Sequence, residues 1–131
     1  MFASTDSGIL QRSATGSVDE VVERLLSILR GKGITVFAVV DHRGEARKIG
    51  LQMPNTKLVI FGNPQAGTPV MLAAPSSALD LPLKILIAES ADGSTRISYN
   101  SVPYLQERHE LSTVMIENMA AIENIVDALA R

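Results

Sequence analysis

The chain has 131 residues, 46% of them hydrophobic and 20% charged, with a formal net charge of -2 and no cysteine. This is globular composition at the length of one domain, expected over residues 1–131; the missing cysteines exclude disulfides, thiolate metal sites and a cysteine nucleophile. With no basic stripe interleaved with aromatics, no basic-flanked apolar leader at the N-terminus and no run near the roughly 20 apolar residues of a membrane span, neither nucleic acid nor membrane is an expected partner, and a cytoplasmic location is expected.

GILQRSA at residues 8–14 is read as a short first strand. Ser17 with Glu20 three positions later is the capping-box arrangement, in which each side chain satisfies a free backbone N–H of the other residue at a helix start. Val18, Val21, Val22, Leu25, Leu26 and Leu29 then recur at helical spacing and predict one buried face, and GKG at residues 31–33 supplies the stop. ITVFAVV at residues 34–40 is β-branched and almost continuously apolar, the pattern of a strand buried on both sides or lying at a dimer surface. Asp41, His42 and Arg43 are read as a polar loop, followed by ARKIGLQMP, which admits a helical turn. Residues 56–61 are the next strand.

GNPQAG breaks that strand, and Thr68-Pro69 then carries the grammar of a helix start: a threonine cap followed by proline at the first helical position. LKILIA at residues 83–88 is a strand, Ala91-Asp92-Gly93 a hairpin turn, and residues 95–100 a further strand. A short helical piece is expected over residues 104–109. Leu111, Val114, Met115, Met119, Ile122, Val126 and Leu129 predict one C-terminal helix over about 113–130.

Strands joined by short turns and accompanied by two amphipathic helices predict an α+β two-layer sandwich, with a mostly antiparallel sheet in the order β-α-β-β-β-β-α and short inserted helices. Because ITVFAVV would leave many apolar side chains in water, a homodimer is expected.

Asp41-His42, Ala46, Gly50-Leu51, FGNPQAGTP at residues 61–69, DLPLK at 80–84, Tyr99-Asn100 and Arg108-His109 together resemble the family catalogued as domain of unknown function 302. The similarity runs over about residues 8–112, and FGNP-x-x-GTP followed by DLPLK carries most of its specificity. The resemblance implies a sandwich like that of the TATA-binding proteins, usually homodimeric, and implies no established activity. Residues 43–45 are more charged than the family pattern leads one to expect.

Three candidate chemistries follow. In the first, Gly67, Thr68 and the N–H groups after Pro69 meet an anion at a helix start, with Asn63, Asp80 and Lys84 beside them; the competing reading makes Asn63-Pro64 a turn, the glycines a backbone necessity and Thr68 a cap. Lys84 is expected to reach an anion or Asp80, or to be a snorkelling edge-strand charge. In the second, His42 or His109, set beside Asp41, Asp80 or Glu107, acts as an acid-base group or metal ligand, although no H-x-x-x-H spacing supports a metal and none is assigned. Ser76, Ser77 and Ser101 lie outside any G-x-S-x-G elbow. The leading expectation is a homodimeric binding module for a small anionic ligand, with Asn63, Gly67, Thr68, Asp80, Lys84, His42 and His109 at the site; the alternatives are a histidine-dependent or metal-assisted enzyme and a structural protein without a small-molecule site. No cofactor is assigned.

Overall fold

A computed structural model describes residues 7–131. Residues 1–6, which form most of the segment read for a leader, lie outside the described residues.

The first strand, β1 (Ile9–Ala14), leads through a turn at Gly16 into α1 (Val18–Gly31). The capping box is formed: Ser17 Oγ accepts from Glu20 N at 3.1 Å, and Glu20 Oε1 accepts from Ser17 N at 2.9 Å. The apolar face of α1 does what its spacing predicts, with Val18, Val21, Val22, Leu25 and Leu29 buried. It covers β2 (Thr35–Asp41), β3 (Thr56–Gly62) and β4 (Leu83–Glu89). The turn Ala91-Asp92-Gly93 closes a hairpin to β5 (Thr95–Asn100), with Gly93 at φ 85°, in the left-handed region that glycine occupies without steric cost.

All four strand pairings are antiparallel, in the order β1-β5-β4-β3-β2. Side chains alternate as the pleat requires: Val59, Phe61, Ile85, Ile87, Ile97 and Tyr99 point into the layer beneath the helices and are buried. The architecture is therefore the expected α+β two-layer arrangement. Here β2 is an edge strand. Val36 and Val39 are 37% and 42% exposed, and Phe37, set in a bulge between Val36 and Ala38, is 51% exposed.

Inserted helices account for the remaining segments. The region expected to be a polar loop is α2 (His42–Lys48), started by Asp41, whose Oδ1 accepts from Gly44 N at 2.9 Å. After β3 comes α3 (Pro64–Ala73), then a 3-10 turn at Pro75–Leu79. The helix expected at Thr68-Pro69 thus begins five residues earlier, because Asn63-Pro64 supplies the same grammar: Asn63 Oδ1 accepts from Gln65 N at 3.0 Å, and Pro64 takes the first helical position. Pro69 sits inside the helix, where it removes the bond that its N–H would have made to the Gln65 carbonyl.

After α4 (Val102–His109), the expected C-terminal helix is divided into α5 (Thr113–Glu117) and α6 (Ala121–Leu129). At the break the backbone tightens to i→i-3 bonds: Asn118 N to Met115 O, Met119 N to Ile116 O and Ala120 N to Glu117 O. Asn118 is turned out of the helical stripe and donates through Nδ2 to the Ala66 carbonyl at 3.0 Å. Ile122, Ile125, Val126 and Leu129 of α6 pack beside α1, whereas Val114 faces solvent at 65% exposure.

Candidate functional site

Strand register sorts the candidate residues into two groups. Thr35 is paired with Gly62 and Asp41 with Lys57, and Lys57 and Gly62 are roughly 17 Å apart at 3.3 Å per residue, so His42, next after Asp41, lies at the far end of β3 from Asn63. Lys84 is paired with Ile60 and Leu83 with Phe61, which brings the DLPLK segment to the Asn63 end. Asn63, Gly67, Asp80, Lys84 and His109 therefore gather toward one end of the sheet, and His42 stands exposed at the other on the first turn of α2.

Within the gathered group, His109 is the most connected residue. Its ring is buried, with Nε2 at 2.5 Å from Asp80 Oδ2 and Nδ1 at 2.7 Å from Ser76 Oγ. In the neutral ring the carboxylate favours the tautomer with the proton on Nε2, which leaves Nδ1 to accept from the Ser76 hydroxyl. Arg108 Nη1 stands 3.6 Å from the same Asp80 oxygen. A hydroxyl, an imidazole and a carboxylate are thus joined in series, linking the 3-10 turn to the end of α4. In chemical terms this is a nucleophile-base-acid sequence. The donors needed to hold an oxyanion are not supplied by the serine's immediate neighbours: Pro75 has no N–H, and Ser77 N–H donates to Ala74 O at 2.9 Å.

Lys84 reaches Asp80 through the backbone. Its ammonium donates to the carbonyls of Asp80 at 3.0 Å and Pro82 at 2.8 Å, clamping the bend that enters β4. Burial pushes its pKa below the ordinary lysine value, and the Asp80 carboxylate partly opposes that shift.

Thr68 is exposed in the middle of α3. The Gly67 N–H, expected to be free for an anion, instead donates to Asn63 O at 2.8 Å as part of the first helical turn. Neither Gly62 nor Gly67 has a positive φ, so neither is required by backbone geometry.

Beneath the start of α3 lies a cavity of about 200 Å³. Phe37, Phe61, Met71, Leu81 and Met119 contribute apolar walls, and Asn63 and Asn118 are the polar side chains of the lining. No charged side chain lines it. With one bond each accounted for, the Asn63 amide N–H groups and the Asn118 amide oxygen have no partner among the described residues. Leu81 and Pro82 directly follow Asp80, so the His109 cluster fixes one wall of the cavity. Sequence reading singled out Asn63 and Gly67 here but missed Phe37, Met71 and Asn118; an asparagine interrupting the apolar stripe of the last helices was the available signal for Asn118.

Among the described residues, no group of three His, Asp or Glu side chains is placed to hold a metal ion, and no helix is long and apolar enough to cross a membrane.

Fold and site together define an α+β sandwich with an apolar cavity at one end of an antiparallel sheet and a Ser-His-Asp cluster bracing its wall. The chain belongs to the family described as domain of unknown function DUF302, whose profile matches residues 10–129. In solved structures, it is similar to an uncharacterized conserved protein DUF302 from Bacillus stearothermophilus, with a TM-score of 0.78 at 20% identity, covering 95% of this chain and 97% of that one. At that identity the likeness concerns the fold. Among curated proteins, it is 38% identical over 111 residues to a fluoride-specific ion channel FluC 1 of Brucella suis biovar 1 (strain 1330), covering 85% of this chain and 44% of the relative. A fluoride-specific ion channel FluC 2 of Brucella melitensis biotype 1 is likewise 38% identical over 111 residues, covering 85% and 41% respectively. The chain therefore spans less than half the length of these curated relatives.

Proposed function

We propose that this protein is a binding module for a small, uncharged and largely apolar molecule bearing one hydrogen-bonding group, held in the cavity beneath α3, and that a second copy covers the cavity's open side. The observation that carries the reading is the cavity itself: about 200 Å³, apolar walls, and two asparagine side chains with unused donors and an unused acceptor. An apolar cavity of about 150 Å³ holds a benzene-sized molecule, so a substituted six-membered ring is the scale that fits. The anion expected from the loop composition finds no cation in this lining, and a desolvated charge without a partner is strongly unfavourable. Asp80, Lys84 and His109 support the site by fixing the Leu81-Pro82 wall, and Asn63 and Gly67 belong to its rim; Thr68 and His42 have no place in it.

The homodimer part of the reading rests on β2. Its outer edge is unpaired, its sequence TVFAVVD has no lysine or proline to discourage pairing, and Phe37 both lines the cavity and is half exposed. A copy paired antiparallel along this edge would cover Phe37 and close the cavity. Thermal shift against neutral and anionic ring compounds tests the ligand class, since a ligand of the folded state alone raises Tm. Neutral compounds should raise Tm, and Gly67→Leu, which directs a side chain toward Met71, should abolish the response. Light scattering should give twice the chain mass for the wild type and the single mass for Val39→Lys; a monomeric wild type sinks the dimer.

A second reading is favoured by the Ser76-His109-Asp80 distances: Ser76 Oγ attacks an ester carbonyl, His109 Nδ1 takes the hydroxyl proton and returns it to the leaving alcohol, and water then releases the acid. Covalent labelling of Ser76 by a fluorophosphonate, absent in Ser76→Ala, would support it, and an unlabelled wild type removes it. The absence of oxyanion donors from the serine's immediate neighbours places it second to binding. No transport activity is proposed from the channel names of the Brucella relatives.

A further inference from the structure

We propose that Arg43, Arg47 and Gln52 form a second, separate site that binds the phosphomonoester group of a small molecule or lipid headgroup. Arg43 and Arg47 are four residues apart on α2, which places them on one face a turn apart, with Cβ atoms about 6 Å from each other. After α2 the chain reverses at Gly50, whose φ of 79° belongs to the left-handed region, and Leu51 N donates to Ala46 O at 3.0 Å. That reversal brings Gln52 and Met53 against the two arginines, and the four side chains line a concavity of about 460 Å³.

The surrounding carboxylates are engaged elsewhere. Asp41 caps α2 through Gly44 N, Glu45 Oε2 accepts from Lys48 Nζ at 2.7 Å, and Asp19, which is within electrostatic reach of Arg43, accepts from Lys57 Nζ at 2.9 Å and Asn55 Nδ2 at 3.0 Å. Among the described residues, neither guanidinium makes an ion pair or side-chain hydrogen bond. Two adjacent, unneutralised forks of N–H donors match an oxyanion carrying close to two negative charges and three acceptor oxygens, which describes a phosphomonoester better than a single carboxylate. The Gln52 amide adds a donor at the same concavity. An extended nucleic acid is a poor fit, since one arginine pair on a chain of net charge -2 makes no continuous basic track. The site also absorbs the unusual charge of residues 43–45, and it stands at the end of β2 and β3 opposite the apolar cavity, so it does not rest on that reading.

The test is a titration of phenyl phosphate and inorganic phosphate into isotope-labelled protein, followed by NMR at the arginine Nε–H and glutamine side-chain signals. Co-sedimentation with phosphatidylcholine vesicles, with and without phosphatidic acid, runs beside it. Saturable shifts confined to Arg43, Arg47 and Gln52 are expected, weakened about tenfold by either R43Q or R47Q. Saturation by phenyl phosphate without vesicle binding identifies a free phosphomonoester. Sedimentation that requires phosphatidic acid and both arginines identifies a headgroup. The proposal is overturned if phosphates give no saturable shift and vesicles no phosphatidic-acid-dependent binding, or if the R43Q/R47Q double variant binds as the wild type does. Arg47 is exposed and Arg43 half-buried, and neither side chain makes an ion pair or hydrogen bond among the described residues, so both variants are expected to fold.

Discussion

His109 Nε2 lies 2.5 Å from Asp80 Oδ2, joining the end of α4 to the turn that precedes β4. The ring is buried, so removing the carboxylate strands a polar N–H without water to replace its partner. Asp80→Ala should therefore destabilise the protein by about 1–3 kcal/mol in urea unfolding, and Asp80→Asn by less, because its amide oxygen still accepts. Ser76 also bonds this ring, at Nδ1, but it is exposed and water can take its place, so Ser76→Ala should cost less than Asp80→Ala. Equal losses for Asp80→Ala and Ser76→Ala would show that the bracing does not centre on the carboxylate.

The start of α3 makes opposite predictions for two residues of FGNPQAGTP. Asn63 caps the helix through Gln65 N, and Asn63→Ala should cost about 1 kcal/mol. Thr68 lies mid-helix and exposed, so Thr68→Ala should be neutral or slightly stabilising. Thermal unfolding of the two variants side by side decides which residue opens the helix.

Gly67 is a helical glycine without a positive φ, and a Cβ there would meet nothing nearer than Met71 Cε at 4.0 Å. Gly67→Ala should consequently stabilise the fold by about 0.5–1 kcal/mol. A drop in Tm would indicate that the glycine is required by geometry or by an occupant of the cavity.

Burial, and then the hydrogen bond from its hydroxyl to Glu123 Oε1, pushes the Tyr99 pKa from 10 up to about 12. Between those values the unfolded chain releases the phenolic proton while the folded protein keeps it, so stability falls as pH rises through this window and the contribution is complete below it. Tyr99→Phe should flatten that part of the stability-pH curve. In a Tyr104→Phe background, phenolate absorbance reports Tyr99 alone, because the chain has two tyrosines; titration at the ordinary value would remove the effect.

Those elements whose signals are local were legible in the sequence. The Ser17-Glu20 capping box, the apolar stripe of α1, the Asp92-Gly93 hairpin and the alternation in β4 and β5 each depend on residues a few positions apart, and the two-layer class follows from their order. The boundaries of α3 were misplaced because Asn63-Pro64 and Thr68-Pro69 carry the same grammar, and which proline opens the helix depends on where β3 ends. The break between α5 and α6 was invisible because Asn118 leaves the helix to reach Ala66, a contact across 52 residues. The site was legible only in part for the same reason. FGNP and DLPLK are brought together by the β3-β4 register, His109 meets Asp80 from another element, and whether Lys84, at the start of β4, faces an anion or two carbonyls is decided by the fold.

Whether the cavity beneath α3 accepts an uncharged ring compound is decided by a methyl NMR titration with phenol and with benzoate. For a ligand of phenol's size, a Kd on the order of 0.1–1 mM is expected. Saturable phenol-induced shifts of the Met71 and Met119 methyl groups are expected, with benzoate at least about tenfold weaker because its carboxylate would enter a lining without a cation. Absence of saturable shifts at both methionines, or benzoate binding as tightly as phenol, would contradict the proposed ligand class.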